Sequence, residues 1–469
     1  MKVRFSTIIL NLIVIMTMLI SGANLLFSIG LLIWLNIFIY ALRDYGNRSM
    51  LLAFMISFFV FLMGRDLVQQ LFLYKVENFT DDINSHLYIS IIFSLLSLLA
   101  GYVVCNYFER YSRKNLSFDN SRENTSVDPF VKNISKYLFY VSWIFAITSK
   151  LIVARYVSSF GYSEYYTDFS EYLYGNTFLY IVSKLEGVMP VALSIFSATL
   201  PTKKEYRIPV LMYIAYMLIS LLSGQRSVFT LGILFLLVYF LYRNQKDPSE
   251  KWVTRKMVVL AIIAIPILSV FMTIFSNIRM GEQVGAVTLT SGVMDFLYDQ
   301  GVTGNVIKRA FMYKNQIPKQ IYSLEFIHSG IFARIFGIHV YHGNTVEHAM
   351  YGGSFTHALG YIVLGPSYLA GRGTGSSYVA ELFQDFGYFG IIIGNIMYGY
   401  IIARINRPIT KNNVLKMSIR YYIITQILWA PRASLTGFLA NLFAPLTIVA
   451  FLFVFSLAKL FKSKYKGVN

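Results

Sequence analysis

Apolar positions along this chain come in long unbroken runs, with little strand-like alternation between them. Runs near membrane-spanning length predict helices, because a bilayer offers no water to satisfy an exposed backbone. Twelve stand out, at 6–21, 24–42, 50–73, 87–107, 137–154, 177–200, 208–223, 227–242, 257–276, 387–403, 417–431 and 435–458. The first follows Lys2 and Arg4 and has the outline of a secretory signal. A second run follows at once and no A-x-A site separates them, so a retained hairpin is expected. Between the runs, 108–136 reads as a polar linker and 155–176 as a tyrosine-rich loop. Residues 277–386 form a stretch of roughly a hundred residues, too long for a connector and therefore expected to be functional. The predicted fold is an all-α polytopic membrane protein of about 12 transmembrane helices, with one large outward-facing loop carrying short helices. Its expected organisation is helices one to nine over 1–276, the loop over 277–386, and helices ten to twelve with a basic tail over 387–469.

Composition supports this class: 56% of the 469 residues are apolar and 14% charged, which excludes an ordinary soluble domain. Charge then assigns sides. With the N-terminus in the cytoplasm, residues 1–6, 43–49, 108–136, 201–207, 243–256, 404–416 and 459–469 face inward. They hold 26 Lys/Arg against 8 Asp/Glu, while the rest holds 15 of each, so the net +18 lies wholly on one side. That is the positive-inside pattern of a multi-pass protein of the cytoplasmic membrane, with both termini inside. The basic surplus reads as topology. No basic patch falls on a soluble face, so nucleic acid is not an expected partner, whereas membrane lipids are. The single cysteine, Cys105, lies in a span and excludes an intramolecular disulfide.

All six histidines (86, 328, 339, 342, 348 and 357) fall on the outward side of this topology. The stretch GRGTGSS (371–377) lacks the Lys-Ser/Thr of a nucleotide loop. It offers backbone N–H groups at Gly373, Gly375, Ser376 and Ser377, and the guanidinium of Arg372, to an anion; the alternative is a turn returning the chain to the membrane. Arg65, Arg226 and Arg432 lie at outer ends of spans, and Arg279 follows the ninth. Charges at such depth need a partner or a wet cavity. A ring of guanidiniums suits pyrophosphate; the alternatives are snorkelling or ion pairing, with Asp66 the obvious partner of Arg65. His339 and His342 have a metal-ligand spacing, but no cysteine or placed carboxylate completes a set, so no metal and no cofactor is expected. Tyrosines 162, 165, 166, 172 and 174 fit sugar stacking or an interfacial belt. Asp295 and Asp299 share one face of a possible helix.

The segment HAMYGGSFTHALGYIVLGPSYLAGRGTGSSYVAELFQDFGYFGIIIGN (348–395) resembles the Wzy-type O-antigen and capsule oligosaccharide repeat-unit polymerases. FLMGRDL (61–67), SGQRS (223–227), YDQGVTGN (298–305) and APRASL (430–435) are similar to patterns of that family. The resemblance implies a C-type glycosyltransferase-like enzyme of polysaccharide biosynthesis, working on lipopolysaccharide or capsule. It would transfer a growing glycan from undecaprenyl pyrophosphate to a fresh lipid-linked repeat unit at the outer leaflet. A chain-length regulator and a flippase of the same pathway would be its partners. Developing charge on the leaving group would meet the arginines and the glycine loop, and Glu381, then His357, would take the acceptor proton. An O-antigen ligase using the same donor and a lipid-linked oligosaccharide flippase are the competing readings.

Overall fold

The computed structural model describes residues 5–115, 128–161, 164–223, 226–280, 288–406 and 413–466. Every regular element among them is helical. The long helices are α1 (Phe5–Ser21), α2 (Leu25–Leu42), α3 (Ser49–Phe72), α4 (Asp81–Asn115), α5 (Pro129–Phe160), α6 (Thr177–Ala198), α7 (Lys203–Leu222), α8 (Arg226–Lys246) and α9 (Arg255–Met280). After them come the short α10 (Leu289–Gln300), α11 (Thr303–Met312) and α12 (Phe355–Leu364), then α13 (Tyr378–Ile405), α14 (Val414–Trp429) and α15 (Pro445–Lys466). Among the described residues, nine helices are long and apolar enough to cross a membrane: α2 to α8, α13 and α15. The remaining predicted runs, 6–21, 257–276 and 417–431, are also helical.

The interior is built around α3, in which Met50 through Met55 and Phe58 are all buried. Its helix widens into a π-helical turn at Phe59–Met63, immediately before Gly64 and Arg65. Such turns re-phase the residues beyond them, and Arg65, Asp66 and Gln69 all lie buried here. α4 and α13 cross with backbones in contact. A Cβ on Gly399 would lie 2.0 Å from Leu98 O, and one on Gly101 the same distance from Ile396 O. Only glycine allows this approach, the small-residue crossing common between membrane helices.

Four expected boundaries are corrected. The linker 108–136 is shorter, because α4 runs on to Asn115 and α5 begins at Pro129, with Asp128 capping Phe130 N at 3.0 Å. The residues of ERYSRKN are mostly adequate helix formers, so α4 outlasts its apolar stretch. The run 177–200 is interrupted between Leu185 and Val188; Pro190 cannot donate to the Glu186 carbonyl. The tenth run, placed at 387–403, starts at Tyr378 and bends at Phe386–Gly387, where Gly387 has φ +62°. That conformation favours glycine. The last run, placed at 435–458, is a short helix Gly437–Leu442 followed by α15, whose first residue is Pro445.

Candidate active site

Three of the predicted arginines meet at the C-terminal end of α10, each on a different residue. The Arg65 guanidinium lies 3.7 Å from the centroid of the Tyr298 ring. Arg226 Nη1 lies 3.6 Å from Asp299 Oδ2. Arg432 Nη1 donates to Gln300 O at 3.0 Å and reaches Gln300 Oε1 at 3.3 Å. Gly301 completes the set, since a Cβ there would fall 2.3 Å from Arg65 N. The cluster is therefore organised by one short stretch, Tyr298–Gly301, and by helices far apart in sequence.

The partners differ from those expected. Arg65 pairs with Glu77, Nη1 to Oε1 at 3.5 Å, and not with Asp66. Adjacent residues on a helix point in different directions; Asp66 instead accepts from Lys308 Nζ at 2.9 Å and Tyr88 OH at 3.0 Å. Both members of that ion pair are buried. Glu77 also accepts from Asn305 Nδ2 at 2.6 Å. Asp295 and Asp299 do share the helix α10, and each has a cation: Lys75 Nζ lies 2.7 Å from Asp295 Oδ1. Arg65 is almost wholly enclosed, whereas Arg226 and Asp299 keep 17% and 39% of their side chains exposed. Of the two arginine–carboxylate pairs, Arg226–Asp299 is thus more open to exchange for an incoming anion than Arg65–Glu77. The side chain of Arg279 lies outside the described residues.

Glu381 sits beside this cluster, not at its surface. It is fully buried in the first turn of α13. Its Oε1 accepts from Ser376 Oγ at 2.7 Å and its Oε2 from Leu435 N at 2.8 Å. The carboxylate therefore ties the glycine-rich loop to the turn that carries Arg432. Asp385, one turn on, accepts from Tyr322 N at 2.9 Å and Ser323 N at 2.7 Å, and Thr436 Oγ1 donates to Ser323 O at 3.0 Å. Glu325, missed in the sequence, joins this group. Burial pushes its carboxyl up from the usual range, and the nearby Ser354 and Ser434 only partly oppose that. A polar residue next to an aromatic gave no signal for it.

The loop itself is open. A Cβ at Gly373 or Gly375 would meet nothing within 4 Å, and Arg372 is exposed. Asn344 Nδ2 steadies its course by donating to Tyr368 O at 2.7 Å and Arg372 O at 3.0 Å. Ser376 and Ser377 are buried, so their hydroxyls face the interior. Arg372 thus stands on a separate loop from the three clustered arginines.

His357 lies in α12, ahead of that second loop in the chain. Its Nδ1 lies 2.8 Å from Tyr368 OH, and its ring stacks on His348 at 3.6 Å. Burial, with the nearby His348, lowers His357 to about 4, and burial lowers His348 as well. His348 was not singled out in the sequence; the nine-residue separation matches no helical or strand period. Among the described residues no group of three or more His, Cys, Asp or Glu could hold a metal ion. His339 is exposed and packs edge-on against Tyr341 at 4.6 Å. Of the tyrosine-rich loop, Tyr165 and Tyr172 pack on Phe169 and Tyr156 in an internal cluster. Tyr174 pairs with Tyr180 at 5.2 Å. Tyr162 and the side chain of Tyr166 lie outside the described residues.

Chemically, the arrangement offers convergent guanidiniums, an open glycine loop and an uncharged imidazole pair. The family model described as O-antigen polysaccharide polymerase Wzy matches residues 3–465, nearly the whole chain. No curated protein and no solved structure matches it significantly.

Proposed function

Because the chain belongs to the Wzy family of O-antigen polysaccharide polymerases, we propose that it joins repeat units carried on undecaprenyl pyrophosphate at the outer leaflet of the cytoplasmic membrane. The observation that carries this reading is the convergence of Arg65, Arg226 and Arg432 on Tyr298–Gly301. In the reaction an acceptor hydroxyl oxygen forms a bond to the anomeric carbon of the growing glycan. The bond from that carbon to pyrophosphate oxygen breaks, and undecaprenyl pyrophosphate leaves with the electron pair. Charge develops on the leaving group, where fixed guanidiniums stabilise it without reorganisation.

Arg226 and Arg432 serve as the pyrophosphate donors, with Arg65 holding the Tyr298 end of the cluster in place. Arg372, Arg279 and the Gly373–Gly375 backbone extend the anion site. The acceptor proton goes to His357, which burial keeps neutral at physiological pH and hence able to receive it. Glu381 positions Arg432 through Leu435; direct proton transfer to its carboxylate requires the turn at 433–436 to move away. The topology that accompanies this reading has twelve spans, both termini in the cytoplasm and residues 277–386 outside. A flippase would supply the lipid-linked units and a chain-length regulator would limit the product.

The donor is already activated, so the chemistry needs no metal. Purified protein given lipid-linked repeat units in the presence of a chelator is expected to build a glycan ladder. Failure to extend the units in any buffer, with protein that remains folded, refutes the polymerase reading.

A further inference from the structure

Next to the glycine loop, six rings follow one another in contact. His339 meets Tyr341 at 4.6 Å, Tyr341 faces His348 at 6.4 Å, and His348 stacks on His357 at 3.6 Å. His357 then meets Tyr368 at 5.8 Å, and Tyr368 meets Tyr361 at 5.9 Å. Tyr341, His348, His357 and Tyr361 are only partly buried, and His339 is exposed. The row is therefore not closed into a core.

One hydrogen bond fixes an imidazole tautomer. His348 Nδ1 lies 2.8 Å from Gly343 O, a carbonyl that can only accept, so Nδ1 carries the hydrogen and Nε2 keeps its lone pair. His357 Nδ1 lies 2.8 Å from Tyr368 OH, which also reaches Thr345 O at 3.3 Å. In the tautomer where Tyr368 gives its hydrogen to Thr345 O, His357 likewise has an Nε2 lone pair. Gly352 preserves the room for that of His348, since a Cβ there would lie 2.2 Å from His348 Cδ2 and 3.1 Å from its Nε2.

We propose that this aromatic–imidazole row is the platform for the acceptor saccharide, holding the sugar ring that carries the attacking hydroxyl. The inference rests on the polymerase reading above. A pyranose has flat C–H faces and a rim of hydroxyl donors. Aromatic rings match the faces and the Nε2 lone pair of His348 accepts from the rim. The row contains no carboxylate and no ammonium or guanidinium, and both imidazoles are held neutral by burial. It therefore selects a neutral polyhydroxyl ring over an ion. Asn344 joins the row to the exposed Arg372 loop through the Tyr368 and Arg372 carbonyls, which places the sugar beside Arg372 and apart from the three clustered arginines.

The test uses full-length protein and two readouts. The probe is the repeat-unit oligosaccharide freed from lipid and pyrophosphate by mild acid. Its binding is followed by saturation-transfer NMR, and KM and kcat are measured with the intact lipid-linked units. Tyr341→Ala is expected to weaken oligosaccharide binding and raise KM about tenfold with kcat little changed, whereas Tyr341→Phe retains both. Inorganic pyrophosphate should not displace the oligosaccharide. An unchanged KM in Tyr341→Ala, or displacement by pyrophosphate, overturns the platform while leaving polymerisation by the native protein intact. Oligosaccharide binding that depends on Tyr341 in a protein unable to extend lipid-linked units would overturn the polymerase reading instead.

Discussion

Arg226 and Asp299 face each other at 3.6 Å with both side chains partly open to solvent, and this makes Arg226→Lys an informative substitution. An ion pair of that exposure is worth about 0–1 kcal/mol, and lysine keeps the charge, so the fold should lose less than about 1 kcal/mol. A pyrophosphate contact is affected differently, because guanidinium presents two parallel donors and lysine a single point charge. Loss of one charge-assisted hydrogen bond costs about 1.5–3 kcal/mol. If that bond forms fully only in the transition state, turnover should fall by about 10- to 150-fold. The measurement is the initial rate of ladder formation from lipid-linked units in proteoliposomes carrying matched amounts of protein. Thermal stability of the same preparation controls for folding. A native rate in Arg226→Lys refutes a phosphate contact at this residue; a low rate with a large drop in stability refutes the reasoning that separates the two effects.

Two further outcomes follow from the site. Glu381→Gln leaves one acceptor oxygen for two donors, Ser376 Oγ and Leu435 N. The unsatisfied group should cost about 1–3 kcal/mol, lowering thermal stability together with turnover. Slow turnover at native stability would instead make Glu381 the direct proton acceptor. His357, lowered to about 4 against an ordinary 6.5, binds fewer protons folded than unfolded between those values. Its contribution to stability is thus complete above 6.5 and lost as pH falls towards 4. The acid limb of kcat should lie near 4 and be reshaped in His357→Gln; half-loss of native activity near 6.5 would exclude His357 as the acceptor.

Hydropathy made the helices legible because each long apolar run carries its own signal. Interruptions inside a run are subtler: Pro190 breaks one helix and Gly387 bends another, and neither changes the average apolarity around it. Arginines 65, 226 and 432 were legible as a group from the cost of placing charge at span ends. Their partners were not, because Gln300 and Arg432 are separated by 132 positions and proximity of that kind leaves no periodic trace. Asp66 shows the opposite hazard: sequence adjacency suggested Arg65, but helix geometry gave it Lys308. Glu381 stood out beside the glycine loop, yet its burial between two segments could be seen only once α13 and the turn after α14 were placed together.

The scattering of the cluster along the chain also sets the order in which it can come into being. Arg65 emerges with α3, Arg226 with the start of α8, Gln300 with the end of α10 and Arg432 only after α14. A nascent chain that has inserted as far as α13 carries Glu381 without the Leu435 amide that engages it, and Gln300 without its guanidinium. The proposed anion site is thus assembled late in biosynthesis, and translation products arrested before the turn at 430–435 should be inert towards lipid-linked sugars already present in the membrane.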